Sequence, residues 1–111
     1  TQLGIELDGA LVGDLMVRIT SLRSRQAELG WMVAAEAQGK GVATEAARAA
    51  LELAWAMGAH RVIAHLDEEN VASRRVAERL GMVVEARHVE DEVNPATGEL
   101  GTSLILAIRR P

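Results

Sequence analysis

Cysteine, tyrosine and phenylalanine are all absent from the 111 residues. Without cysteine there are no disulfides, no thiolate metal ligands and no thiol nucleophile. Without tyrosine no phenol can serve as a proton donor. Trp31 and Trp55 are the only aromatics of the Phe/Tyr/Trp set, which leaves no platform for stacking single-stranded bases. No apolar run approaches the roughly 18 residues of a membrane span, and no cationic-then-apolar leader opens the chain. The cytoplasm is therefore the expected compartment, with no membrane partner. Lysine is scarce as well: Lys40 is the only one. The formal net charge of −4 argues against a general nucleic-acid partner.

What is present suits a soluble globular chain. Hydrophobic residues make up 49% and charged residues 25%, and the length fits one domain over 1–111. Patterning predicts a strand at 2–7, a tight turn at Asp8-Gly9, and a strand at 10–19 with a bulge at Gly13-Asp14. A loop at 20–26 and a third strand at 27–34 follow. A small-residue turn at 35–41 leads into an Ala- and Leu-rich helix at 42–57. Glu45, Arg48 and Glu52 share its one polar stripe, and the rest of its surface is expected against a sheet. Gly58 ends that helix. A strand at 61–66 completes a β-α-β unit. The second helix, 71–80, has Asn70 as N-cap and Gly81 as stop. Strands at 82–93 and 102–109 flank a turn at 94–98. The expected class is α/β (α+β), in the order β-β-β-α-β-α-β-β.

Two segments carry chemistry. Gln38-Gly39-Lys40-Gly41-Val42-Ala43-Thr44 joins a strand to a helix. Its glycines permit tight turns, and the unpaired amides of a helix's first turn face an anion favourably. Lys40 beside a positive helix end is unfavourable by about 0.3–1 kcal/mol unless an anion binds there. A flexible surface loop is the alternative. Neither the Walker P-loop nor the complete G-x-G-x-x-G pattern is matched. The second segment runs Asn70-Val71-Ala72-Ser73-Arg74-Arg75 to Leu80-Gly81-Met82. Arg74 and Arg75 again sit against the dipole preference, or else are solvated arginines paired with Glu78.

Together these segments resemble the GCN5-related N-acetyltransferase (GNAT) superfamily. Its signature Q/R-x-x-G-x-G/A reads here as Gln38 to Ala43. The closer likeness is to the ribosomal-protein N-terminal acetyltransferase (RimJ/RimL-like) type. Gly30-Trp31, Gln38 to Ala46, His60 to Ala64, Asn70 to Gly81 and Gly98-Glu99 match that group's motifs in order. The resemblance implies a mixed, mostly antiparallel twisted sheet with a central parallel β-α-β unit. It also implies acetyl-CoA as cofactor and a primary amine as acceptor, either a protein N-terminus or a small molecule. The pantetheine arm would lie along Met32, Val33 and Ala34. The pyrophosphate would sit on Gln38, Gly39, Lys40, Gly41, Val42, Ala43 and Thr44. Asn70 would contact the cofactor arm, and Arg74 or Arg75 the adenosine phosphates. Pairing of two copies is a further expectation, since family members often dimerise.

Acetyl transfer needs a neutral amine, a polarised carbonyl and a proton for the leaving sulfur. Many family members use a tyrosine at the position of Ala77. The expectation passes to Ser73, which matches the serine of N-x-A-S, against the alternative that it only bonds within its helix. Glu28 and Glu99 are the candidate bases, with water as a third choice. His65-x-Asp67-Glu68-Glu69 and Glu90-Asp91-Glu92 hold metal-type ligands, but their spacing matches no common metal motif, so no metal is expected. Departures fall on the acceptor side. The strand and helices that usually open the family's domain do not precede Gln2, and Leu100 and Thr102 replace a usual aromatic and acid. A non-catalytic acyl-CoA-binding module is the rival reading, and a generic nucleotide-phosphate binder a weaker third.

Overall fold

The computed structural model describes residues 2–7, 9–33 and 41–111. Among these residues six strands and two helices follow in the order read from the sequence: β1 (Gln2–Leu7), β2 (Ala10–Ser21), β3 (Gln26–Val33), α1 (Val42–Ala56), β4 (Arg61–Asp67), α2 (Val71–Arg79), β5 (Val83–Val93) and β6 (Leu100–Arg109). They form one sheet, ordered β1-β2-β3-β4-β6-β5. Among the described residues only β3 and β4 run parallel; every other neighbouring pair is antiparallel. The fold is the mixed, mostly antiparallel α/β sheet that the motif order implied.

Both helices cover the same face of the sheet. Along β3, Ala27 and Leu29 are buried; along β4, Val62 and Ala64; along β6, Leu104 and Leu106. This period of two assigns one face to a core. α1 closes that core with Ala47, Ala50, Leu51, Ala54 and Trp55, and its alanines let the helix axis approach β2 and β3. Glu45, Arg48 and Glu52 are exposed, as their shared stripe predicts. α2 adds Val76, Ala77 and Leu80. Its N-cap is Asn70, whose Oδ1 accepts the amide of Ser73 at 3.1 Å. Gly81, at φ 95, turns the chain out of α2 in a conformation that suits glycine.

Two irregularities differ from the sequence reading. In the first hairpin Ile5 pairs with Gly13 and Glu6 with Leu11. The extra residue is thus Val12, one place before the expected Gly13-Asp14. In β5 the register breaks twice, between Val84 and Ala86 and between His88 and Glu92, where the sequence reads as plain strand. The last strand also begins at Leu100, two residues earlier than its apolar run, because pairing with Val93 extends it past Gly101.

One feature of the topology positions the site. Register between β3 and β4 runs from Gln26–Arg61 to Leu29–Ala64 and ends there. Gly30–Val33 of β3 and His65–Asp67 of β4 therefore diverge, while β4 stays paired to β6 through Asp67–Ser103. A parallel strand pair that opens at the centre of the sheet presents backbone groups from both lips that no longer bond to each other.

Candidate active site

A cleft of about 320 Å³ lies where the strands part. Trp31 and Met32 of β3, Gly41, Ala43 and Thr44 at the start of α1, and Asn70, Ser73 and Arg75 of the α2 entry line it. Ala72, Val76 and Arg79 complete its wall. Trp31 follows the core side of β3, whereas Met32 belongs to the opposite face and is 70% exposed. The cleft thus reaches the gap through the sheet.

Local structure explains these placements. Gly41 is the N-cap of α1, at φ 74 and ψ 1. That left-handed conformation favours glycine, and among the described residues a Cβ built there would meet nothing within 4 Å. A glycine cap carries no side-chain oxygen, so Gly41 gives the first-turn amides of α1 no side-chain cap. The helix dipole adds its positive end at the same place. The indole Nε1 of Trp31 is buried without a hydrogen-bond partner among the described residues. A buried donor of this kind normally has an acceptor. Asn70 uses its Oδ1 on Ser73.

Several residues singled out from sequence meet here: Met32, Gly41, Ala43, Thr44, Asn70, Ser73 and Arg75. Val42 begins α1 and packs partly against the core. Arg74 points along α2 to Glu78, at 3.9 Å, rather than into the cleft wall. Val33 ends β3. Ala34, Gln38, Gly39 and Lys40 lie outside the described residues. Glu28 is on the sheet face away from the helices and is bound by Arg18 of β2 at 2.7 Å; the two are direct cross-strand partners. Glu99 is exposed in the turn before β6. Neither carboxylate is among the residues that line the cleft with Ser73. Ala77, where many family members carry tyrosine, is fully buried.

Sequence reasoning missed Trp31, Ala72, Val76 and Arg79 as cleft residues. Arg79 had a signal, since it stands four residues after Arg75 and thus on the same helix stripe. The backbone oxygen of Arg79 also accepts Arg48 of α1 at 3.2 Å, which ties the two helices that frame the cleft. On the far face the structure gathers His65, Asp91 and Glu92, whose ligand-type atoms all lie within 4.8 Å of one another.

Comparison with known proteins gives the family and the fold. The acetyltransferase (GNAT) domain family matches residues 1–83. The chain is similar to the uncharacterized N-acetyltransferase YnaD of Bacillus subtilis (strain 168), 45% identical over 56 residues, which are 50% of this chain and 33% of that protein. It is also similar to YdaF, a ribosomal N-acetyltransferase-like protein of the same organism. That match is 33% identical over 85 residues, or 76% of this chain and 46% of the relative. The chain thus spans a third to a half of the length of these curated relatives. Among solved structures, the microcin C7 self-immunity acetyltransferase MccE, in complex with acetyl-CoA and AMP, superposes with a TM-score of 0.86 at 22% identity. The match covers 98% of this chain and 60% of that one, and at this identity it shows the fold alone.

Proposed function

Because the chain belongs to the acetyltransferase (GNAT) domain family, we propose that its cleft binds acetyl-CoA and that the acetyl group passes to a primary amine. The observation that carries this reading is the parting of β3 from β4 after Leu29–Ala64, which opens onto the uncapped amide end of α1. The donor set fits such a group. First-turn amides and Arg75 suit a pyrophosphate or phosphate. The orphaned Nε1 of Trp31 offers a buried donor to a ligand acceptor, and the free backbone of Gly30–Val33 offers a strand edge to an amide-bearing arm. Gln38, Gly39, Lys40 and Ala34 extend this assignment by the family motif.

When bound, acetyl-CoA supplies an activated acyl thioester. The chain's own residues do the rest. Backbone N–H groups of β3 polarise the carbonyl, and the Ser73 hydroxyl holds a proton for the leaving sulfur. Attack is direct, since the chain has no cysteine to carry the acyl group. The acceptor is a protein N-terminus or a small-molecule amine.

Calorimetry with acetyl-CoA, followed by thioester turnover with a panel of amines, tests the reading. Binding with product formation is expected, and Arg75→Glu should weaken binding at least tenfold at low salt. Competition by ATP but not by CoA would replace the reading with a nucleotide-phosphate binder. Binding without product from any amine would leave a non-catalytic acyl-CoA module.

A further inference from the structure

Trp31 stands at the inner end of the gap. It is the second residue of β3 beyond the last pair with β4, Leu29–Ala64. Leu15 of β2 is its direct cross-strand partner and is buried, so both side chains lie on the helix-covered face. Trp31 packs against the core cluster and lines the cleft together with Ala72, Ser73 and Val76 of α2. The indole is thus held by packing on one side and forms part of the cleft wall on the other.

This packing leaves one polar atom over. Nε1 of Trp31 is buried and has no hydrogen-bond partner among the described residues. An indole N–H can only donate, and a buried donor without an acceptor costs stability. The cluster behind the ring consists of apolar side chains and offers no acceptor. The acceptor is therefore to be sought in the cleft.

The order of groups along the cleft narrows the choice. Under the acetyltransferase reading above, on which this inference rests, a pyrophosphate lies at the Gly41 end of α1 and the arm runs back along β3 past Val33 and Met32. The acyl end of the arm then arrives at Trp31. Just beyond, the pairing of Leu29 with Ala64 closes the gap. The thioester oxygen is the strong acceptor at that end of the arm.

We propose that Trp31 is the specificity-determining residue that selects which acyl group the cleft accepts. Its Nε1–H donates to the acyl oxygen and fixes the orientation of the carbonyl. The ring, backed by Leu15 and the core, limits the chain that extends from that carbonyl, with Val76 of the same wall. A methyl group fits this corner. A longer chain displaces the ring or turns the carbonyl away from Nε1. The site thus separates acetyl from longer acyl groups by size, and from a thioether by the hydrogen bond.

Binding rather than turnover tests the assignment. Calorimetry on the full chain compares acetyl-CoA and butyryl-CoA with S-ethyl-CoA, which has the size of acetyl-CoA but no acyl oxygen. Wild type should bind acetyl-CoA at least about tenfold more tightly than butyryl-CoA, and about 2- to 10-fold more tightly than S-ethyl-CoA. Trp31→Phe removes the donor and keeps much of the ring, so the second preference should vanish while the first remains. Trp31→Val should lose the first and bind butyryl-CoA at least as well as acetyl-CoA. A magnetic-resonance readout on the unmutated, isotope-labelled chain covers the case in which Trp31→Val does not fold. Its indole N–H signals come from Trp31 and Trp55, and Trp31→Phe assigns them. Acetyl-CoA should move the Trp31 proton downfield, S-ethyl-CoA should not, and Trp55, buried in α1, should stay in place with both. Equal Trp31 shifts with the two ligands, or the wild-type chain-length preference in Trp31→Val, overturns the proposal while the cofactor cleft stands. If neither acetyl-CoA nor CoA binds, the underlying reading falls as well.

Discussion

Leu29 and Ala64 form the last step at which β3 and β4 remain paired. Both side chains are buried in the core beneath the helices, so the strands are pinned together up to that step. Beyond it the chain gives up paired backbone in the middle of a sheet, which is costly unless another partner takes the exposed groups. Such a cost is commonly met where a ligand completes the ladder. The pinned half explains why the opening has a fixed position, and the open half explains why the cleft lies where it does.

Asn70 links stability to the cleft. Its Oδ1 caps α2 through the Ser73 amide, and the residue also lines the cleft. Replacing it with alanine should cost about 1 kcal/mol of stability, while serine should keep most of the cap. Both replacements remove the carboxamide, so both should weaken acetyl-CoA binding. Thermal unfolding and calorimetry on the two variants check this. Wild-type affinity in Asn70→Ser would remove the side chain from cofactor recognition and leave it as a cap.

How much of this was legible in the sequence differs by element. The two helices were, because Asn70, Gly58 and Gly81 mark their ends locally and Ala47 to Trp55 carry a clear apolar face. The order of strands was also legible. The opening beside β3 was implied by the family resemblance, which lays the cofactor arm along Met32, Val33 and Ala34, but the step at which β3 leaves β4 was not legible, since it depends on a register between segments 35 residues apart. The bulge at Glu90 was missed for a related reason. Its residues have ordinary strand character, and only their pairing with Thr102 reveals the excess. Trp31 was read as part of a family motif, but its orphaned indole became visible only once the cleft wall closed around it. Glu28 illustrates the converse: a carboxylate on the right strand is engaged by Arg18, which sequence separation hid.

Ser73 carries a sharper expectation. It sits in the first turn of α2 on the cleft wall, and its backbone amide is already satisfied by Asn70. The structural work at this position is therefore done by the backbone, not the hydroxyl. Ser73→Ala should leave the unfolding temperature nearly unchanged while lowering kcat about 10- to 100-fold, a modest share of a proton-transfer effect. A poorer leaving thiolate should make the defect larger. Equal rates for Ser73→Ala and wild type across the pH range would take it out of the mechanism.

The acid limit of stability follows from three carboxyls. Arg87 holds Glu68 below the usual range through a side-chain hydrogen bond, Arg61 does the same for Glu85, and Ser103 for Asp91. A depressed folded-state value means that the unfolded chain binds protons more readily. The stabilisation is thus complete above the unfolded carboxylate range, about pH 4–4.5, and is lost as pH falls through the lower folded values. Thermal unfolding should be flat from pH 7 to about 5 and decline below 4. Since these pairs are exposed, the decline should be shallow. The double variant Glu68→Gln, Glu85→Gln should show a flatter acid limb; an unchanged limb would assign the acid loss to other groups.

The separation between α1 and the sheet is set by alanine, and this governs where the amide end of α1 stands. Ala54 is fully buried, and its carbonyl accepts the amide of Ala59 just past the helix, so the side chain has little room to shift. Ala54→Leu should cost about 1–3 kcal/mol through overpacking. Ala49, on the exposed side of the same helix, supplies the control: Ala49→Leu should change stability by less than about 0.5 kcal/mol. Denaturant midpoints measure both. A helix lifted at Ala54 also tilts the turn that begins at Gly41, so Ala54→Leu should weaken acetyl-CoA binding although Ala54 does not line the cleft. Ala49→Leu should not. If Ala54→Leu lost stability but bound acetyl-CoA as wild type does, the cofactor would not be held by the end of α1.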